Sequence, residues 1–139
     1  MRAMSLDVGT KTIGIATSDL LWMIANGVET IRRTSVERDF ARIGELIKEH
    51  EVSTLVVGYP KNMNGSIGER AQICEAFAEE LRTRFPNCKV VLWDERLSTV
   101  GAASFLNATN TRGKDRKSVI DTVAACIILE NYMSFQKNN

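Results

Sequence analysis

The amino-acid sequence predicts an α/β fold: a five-stranded mixed sheet in the order 3-2-1-4-5, flanked by helices. Three observations carry this. Strand-like runs at residues 2–7, 12–18 and 28–31 follow one another over short links, the pattern of an antiparallel meander. From residue 34 onward strands alternate with helical periodicities, and such alternation demands right-handed crossovers between parallel strands. The run from Thr54 to Gly58 is nearly all apolar, as strands buried on both faces of a parallel sheet are. The resulting order, βββαβαβαα, leaves strand 1 at the sheet centre.

Each element has its own local signal. Arg2 to Asp7 reads as the first strand, and Val8-Gly9-Thr10-Lys11 as a tight turn, with Gly9 free to take a positive φ. Thr12 to Ser18 is small and β-branched, a second strand. A connector containing Asn26-Gly27 precedes the third, Val28 to Ile31. Thr34-Ser35-Val36-Glu37 has the form of a capping box, and behind it Val36, Phe40, Ile43 and Ile47 recur at helical spacing. After the fourth strand and a loop over 59–65, Ser66-Ile67-Gly68-Glu69 opens a second helix, with Cys74, Phe77, Ala78 and Leu81 as its apolar stripe. Pro86-Asn87 ends it, and Lys89 to Trp93 is the fifth strand. A short helix over 97–107, a basic loop over 108–117 and an apolar helix from about 118 to 134 complete the chain.

At 139 residues the chain fits one domain spanning 1–139 and can bury a core without disulfides or metal staples. Its 44% hydrophobic and 25% charged residues are an ordinary globular mix. No apolar run approaches the roughly 18 residues of a membrane span. An acid, Asp7, near the N-terminus and the lack of an apolar signal core argue for a cytoplasmic protein with no membrane partner. A single histidine, His50, excludes zinc sites with paired histidines within this chain, and its place in Lys48-Glu49-His50-Glu51 reads as surface. Cys74, Cys88 and Cys126 form no C-x-x-C and read as reduced thiols. Catalysis is thereby left to carboxylates, hydroxyls, lysines or bound ions. A net charge of +1 does not by itself announce a nucleic-acid partner.

Most of the 17 acids sit on polar helix faces and read as solvated. Three do not. Asp7 ends the central strand, Glu95 follows the buried Val90-Val91-Leu92-Trp93, and Asp121 lies inside the most apolar helix with Ala124 and Ala125 three and four residues on. A carboxylate on a packed face needs a cation. Either Lys11, Arg96 or Arg116 supplies it in a salt bridge, or a divalent ion does. Asp7 and Glu95 both fall at the carboxyl ends of strands, where open α/β sheets gather ligands. Two further segments suit anions. Residues 59–66 run into a helix N-terminus, either as a plain connector to a capped helix or as a phosphate contact, the connector being the default for this loop taken alone. Arg112-Gly113-Lys114-Asp115-Arg116-Lys117 sets four cations ahead of the Asp121 helix, either as a solvated loop or as a phosphate-backbone contact.

Five motifs in register then resemble one family. They are Asp7-x-Gly9-x-Lys11-x-x-Gly14-Ile15-Ala16; Val56-Val57-Gly58-Tyr59-Pro60-x-Asn62-Met63-Asn64-Gly65; Gly68-Glu69-Arg70-Ala71; Asp94-Glu95-Arg96-Leu97-Ser98-Thr99; and Asp121-x-x-Ala124-Ala125-x-Ile127-Ile128-Leu129. Together they resemble the bacterial YqgF family, also called RuvX, over nearly the whole chain. The resemblance implies a ribonuclease H-like fold, in agreement with the strand order above. It implies a nuclease of the small-subunit ribosomal RNA precursor or a resolvase of Holliday junctions. It also implies that Asp7, Glu95 and Asp121 are the metal-binding carboxylates. Related resolvases place an acid at the end of the fourth strand; here that position reads Gly58-Tyr59-Pro60 and the acid comes from the fifth strand as Glu95, leaving one or two ions open. Asn26-Gly27 stands where the family often has Ser-Pro, and Trp22 where it usually has a smaller residue.

On this reading the chain is a metal-dependent phosphodiester hydrolase with Mg²⁺ or Mn²⁺ in an all-oxygen shell. Lys11, Arg70, Arg96, Arg112, Lys114, Arg116 and Lys117 would hold phosphates of structured RNA or branched DNA. The expected state is a monomer or a homodimer, a two-fold dimer being what junction resolution would favour. Two rivals differ in class. Asp7-Val8-Gly9-Thr10 also looks like a phosphate loop of the actin and hexokinase group, but those proteins need two such domains. A catalytically silent binding module would have no need of the three acids.

Overall fold

The computed structural model describes residues 1–60, 67–95 and 115–137, the side chains of 115–121 and 137 excepted. Strands β1 (Arg2–Val8), β2 (Thr12–Ser18) and β3 (Ala25–Arg32) form an antiparallel meander. Helix α1 (Val36–Glu49) leads to β4 (Val52–Tyr59), helix α2 (Glu69–Arg84) to β5 (Lys89–Asp94), and helix α3 (Asp115–Lys137) closes the described chain. β4 pairs parallel with β1 and β5 parallel with β4, so the sheet order is β3-β2-β1-β4-β5, as expected from the sequence.

The period of two along each strand sorts side chains onto two faces. On β1, Met4, Leu6 and Val8 join Phe40, Ile43, Phe77 and Leu81 of α1 and α2 in the larger core. Ala3 faces the other way, into the cluster built with Ala125, Cys126, Ile128 and Leu129 of α3. Fully buried residues such as Leu6 and Ile13 each contribute roughly 1.5–3 kcal/mol by leaving water. α3 crosses the strands rather than following them. Its contacts run from Thr122 against Gly27 of β3, through Ala125 against Ser5 of β1 and Ile128 against Gly58 of β4, to Tyr132 and Phe135 against Trp93 of β5.

Several boundaries differ from expectation. Asn26-Gly27 lies within β3, which starts three residues early. Gly27 is required there because a side chain would meet the Thr122 side chain at 2.9 Å. α1 is capped by Ser35, whose hydroxyl accepts the Arg38 N–H, so the expected Thr34–Glu37 box is out of frame by one. α2 starts only at Glu69, with Gly68 extended at the N-cap and no side-chain cap. α3 starts at Asp115 and takes Arg116 and Lys117 out of the expected basic loop, since no helix breaker follows Gly113. The helix expected over 97–107 lies outside the described residues.

Candidate active site

Asp7 is the penultimate residue of β1, on the same side as Ala3 and Ser5, toward α3. Two residues before it, Ser5 is fully buried and its hydroxyl donates to the Ala125 carbonyl at 2.5 Å, fastening α3 to the central strand. The turn after Asp7 is held from the opposite side. Gly9 N–H donates to the Thr12 carbonyl at 2.8 Å. Arg33 donates from Nη1 to the Gly9 carbonyl at 3.0 Å and from its backbone N–H to the Lys11 carbonyl at 2.9 Å. Arg33 is itself paired with the buried Asp39 at 3.3 Å. Gly9 does not use left-handed backbone, contrary to expectation; a side chain there would come within 3.0 Å of the Thr12 carbonyl, and that crowding is what calls for glycine.

Glu95 follows directly on β5. Gly58 of β4 pairs with Trp93, and the β1 register, Leu6 opposite Val57, brings Asp7 alongside Gly58. The Glu95 side chain folds over Gly58, its Oε2 3.1 Å from the point a Cβ on that glycine would occupy. Burial pushes the Glu95 carboxyl above the usual carboxylate range. The charge of Asp7 adds to the rise, Arg70 opposes it, and Asp94 adds to it. Two acids from strands on either side of β4 thus share one site.

Arg70, in the first turn of α2, brings Nη2 to 3.8 Å from Asp7 Oδ1 and 3.5 Å from the Val8 carbonyl. One turn on, burial pushes the Cys74 thiol up to about 11, Arg70 acting against the shift and Glu95 and Asp7 with it. Without a bound cation Cys74 is therefore neutral at pH 7, and it packs into the larger core. Next to it, the buried Tyr59 hydroxyl donates to Glu75 at 2.8 Å, tying the end of β4 to α2.

The structure thus brings Asp7, Glu95 and Arg70 together. It places Asp121 in α3, one turn before the Ala125 carbonyl that Ser5 holds; its side chain lies outside the described residues. Among the described residues no set of three metal-ligating side chains converges. Lys11 is exposed on the turn after Asp7. Arg96, Arg112 and Lys114 lie outside the described residues, as do the side chains of Arg116 and Lys117. The donors that do converge are carboxylate oxygens with no imidazole or thiolate among them, and they fit a hard divalent ion such as Mg²⁺ or Mn²⁺. Ser5, Arg33 and Asp39 were not picked out by the sequence; only the alternation Ala3-Ser5-Asp7 hints at the first of them, whereas Gly58 was marked only as the place on the fourth strand that lacks an acid.

The model of the family described as "RuvX: Holliday junction resolvase" matches residues 1–135. This chain belongs to the RuvX family. Among its relatives, a protein of Halalkalibacterium halodurans is 52% identical over 139 residues, 99% of each chain. One of Bacillus subtilis is 45% identical over 135 residues, 96% of this chain and 97% of that one. Both are named as candidate pre-16S rRNA nucleases. Among solved structures, Thermus thermophilus RuvC in complex with a Holliday junction substrate superposes with a TM-score of 0.67 at 13% identity, covering 100% of this chain and 96% of that one. Fowlpox virus resolvase with Holliday junction DNA gives 0.51 at 12%, covering 99% and 96%. At these identities the likeness is one of fold, and it makes the RuvX sheet described above a ribonuclease H-like one.

Proposed function

We propose that this RuvX-family chain is a metal-dependent phosphodiester hydrolase that acts in maturation of the 5′ end of pre-16S rRNA. The observation that carries this is the pairing of Asp7 and Glu95 across Gly58, with Arg70 at their edge. Two carboxylates held near each other in a half-buried site repel, and a divalent ion relieves that repulsion. Asp7, Glu95 and Asp121 would hold Mg²⁺ or Mn²⁺. When bound, such ions activate the attacking water and stabilise the leaving oxygen. Arg70 and Lys11 border the same strand ends and would take the phosphates beside the scissile bond, and the cations from Arg96 to Lys117 those further out. No helix of the described residues is long and apolar enough to cross a membrane. The chain would act as one cytoplasmic domain, as a monomer or a homodimer.

The assignment to precursor RNA rests on the names of the relatives; the family description favours four-way DNA as a second reading. The test offers both substrates, a pre-16S leader RNA and a four-way junction, to one preparation in Mg²⁺, in Mn²⁺ and in chelator. Metal-dependent RNA cleavage that disappears in Asp7→Asn is expected. Cleavage of the junction alone moves the substrate to the second reading, and cleavage that survives chelator or Asp7→Asn removes the site assignment altogether.

A further inference from the structure

We infer that Gly58 is a positioning residue of the active site: the side chain it lacks is the space in which the Glu95 carboxylate is held beside Asp7. The inference rests on the reading of Glu95 as a functional carboxylate. Gly58 sits in β4, between β1, which carries Asp7, and β5, which ends at Glu95. It is buried, and on the α3 side of the sheet. A Cβ at this position would stand 2.6 Å from Ile128 Cδ1, 3.1 Å from Glu95 Oε2 and 3.4 Å from Glu95 Cδ. Real Cβ atoms essentially never approach another heavy atom below 3.0 Å, so Ile128 would have to move. At 3.1 Å the carboxylate would have to give as well.

Nothing in the backbone calls for glycine here. Gly58 does not take left-handed φ, and it lies in a regular parallel ladder, where glycine weakens a strand. Its neighbours Val56 and Val57 are fully buried β-branched residues of the kind such a strand prefers. The glycine is therefore explained by what lies over it. Two groups do: the Ile128 methyl, by which α3 packs on β4, and the Glu95 carboxylate. Position 58 accordingly holds either a side chain of its own or the carboxylate of Glu95.

The two contacts can be separated. Gly58→Ala alone strains both, and its effect would mix packing with the site. Ile128→Val deletes Cδ1, so the added methyl of Gly58→Ala/Ile128→Val falls where one was removed, and only the conflict with Glu95 persists. The experiment is a Mn²⁺ titration followed by electron paramagnetic resonance, with melting curves in chelator, on the wild type, Ile128→Val and the double variant. The double variant should melt in chelator within a few degrees of Ile128→Val, yet bind Mn²⁺ at least tenfold more weakly than either other protein. Equal Mn²⁺ affinity in Ile128→Val and the double variant would overturn the role of Gly58 while leaving the site intact. A wild type that binds no Mn²⁺ would overturn the reading of the site, and the inference with it. A double variant that melts far below Ile128→Val and binds Mn²⁺ as tightly as Ile128→Val would show that the space left by Cδ1 does not take the added methyl, so that Gly58 serves packing under α3 and not Glu95.

Discussion

Asp39→Asn should destabilise the protein by about 2–3 kcal/mol and slow cleavage, although Asp39 touches no substrate. Its side chain is only 3% exposed. One carboxylate oxygen accepts Arg33 Nε at 3.3 Å and the other the Thr34 N–H at 3.2 Å. Arg33 in turn holds the Gly9 carbonyl, two residues past Asp7. Removing one partner of a fully buried pair costs roughly 3–5 kcal/mol, most of it for the charge left behind. Here the Arg33 side chain keeps 23% of its surface in water and retains Gly9 and the Phe77 ring, which brings the expectation down to about 2–3 kcal/mol. At about 2.1 cal/mol/K of unfolding entropy per residue, a chain of 139 residues should lose about 7–10 °C in Tm. Thermal melts and urea titrations in chelator at pH 7 measure this directly. Arg33→Met and the double variant complete a cycle whose coupling should exceed about 1 kcal/mol. A loss below about 1 kcal/mol with no coupling would refute the idea that a buried pair braces the turn behind Asp7.

Ser5→Ala should cost only about 0.5–1.5 kcal/mol in urea titrations, yet reduce the cleavage rate about tenfold or more, because it frees α3 one turn from Asp121; a stability loss with unchanged rate would mean that α3 is held elsewhere. Glu95 has its carboxyl raised in the fold, so its contribution is fully present below the ordinary carboxyl range and is lost as pH rises through the folded value. In chelator, Glu95→Gln should therefore be the more stable protein at pH 7 and lose that advantage toward pH 4; melts across this range that run parallel would contradict the shift. Burial holds the thiols at about 11 for Cys74 and about 12 for Cys126, so a disulfide reagent at pH 8 should label only the half-buried Cys88 before unfolding, and fast labelling of all three would count against the packing of both helices. Arg112→Ala with Lys114→Ala should weaken binding of RNA and DNA alike and flatten the salt dependence by roughly one to two units; an unchanged slope would return the segment to solvated surface charge.

The sheet was legible because its signals are local and consistent. Three short-linked strands can hardly do other than form a meander, and the apolar Thr54–Gly58 run fits a strand with a neighbour on each side. Asp7 and Glu95 stood out because each is a charge at the end of a buried strand. Asp39 did not, since an acid in the first turn of a helix is ordinary, and its burial depends on Arg33 arriving from the end of β3. Gly58 reads only as the end of an apolar strand that lacks an acid; that Glu95 lies over it depends on the fold. Apolar composition alone does not mark the core: in the run Leu20–Ala25, Leu20, Leu21, Met23 and Ile24 are exposed around a hairpin tip. There Trp22 takes φ 57° and turns inward, its Nε1 donating to the Met1 carbonyl at 2.9 Å and its ring lying against Tyr132.

The central claim is that Asp7, Glu95 and Asp121 form one divalent-ion site in the folded chain. Melting curves with and without Mn²⁺, for the wild type, Glu95→Gln and Asp121→Asn, test it most directly. A ligand that binds only the folded state at a hundredfold excess over its Kd adds about 2.7 kcal/mol. For 139 residues that corresponds to a rise in Tm of about 9 °C. The rise should appear in the wild type and be largely absent from both variants. An equal rise in all three proteins would place the ion elsewhere and contradict the account.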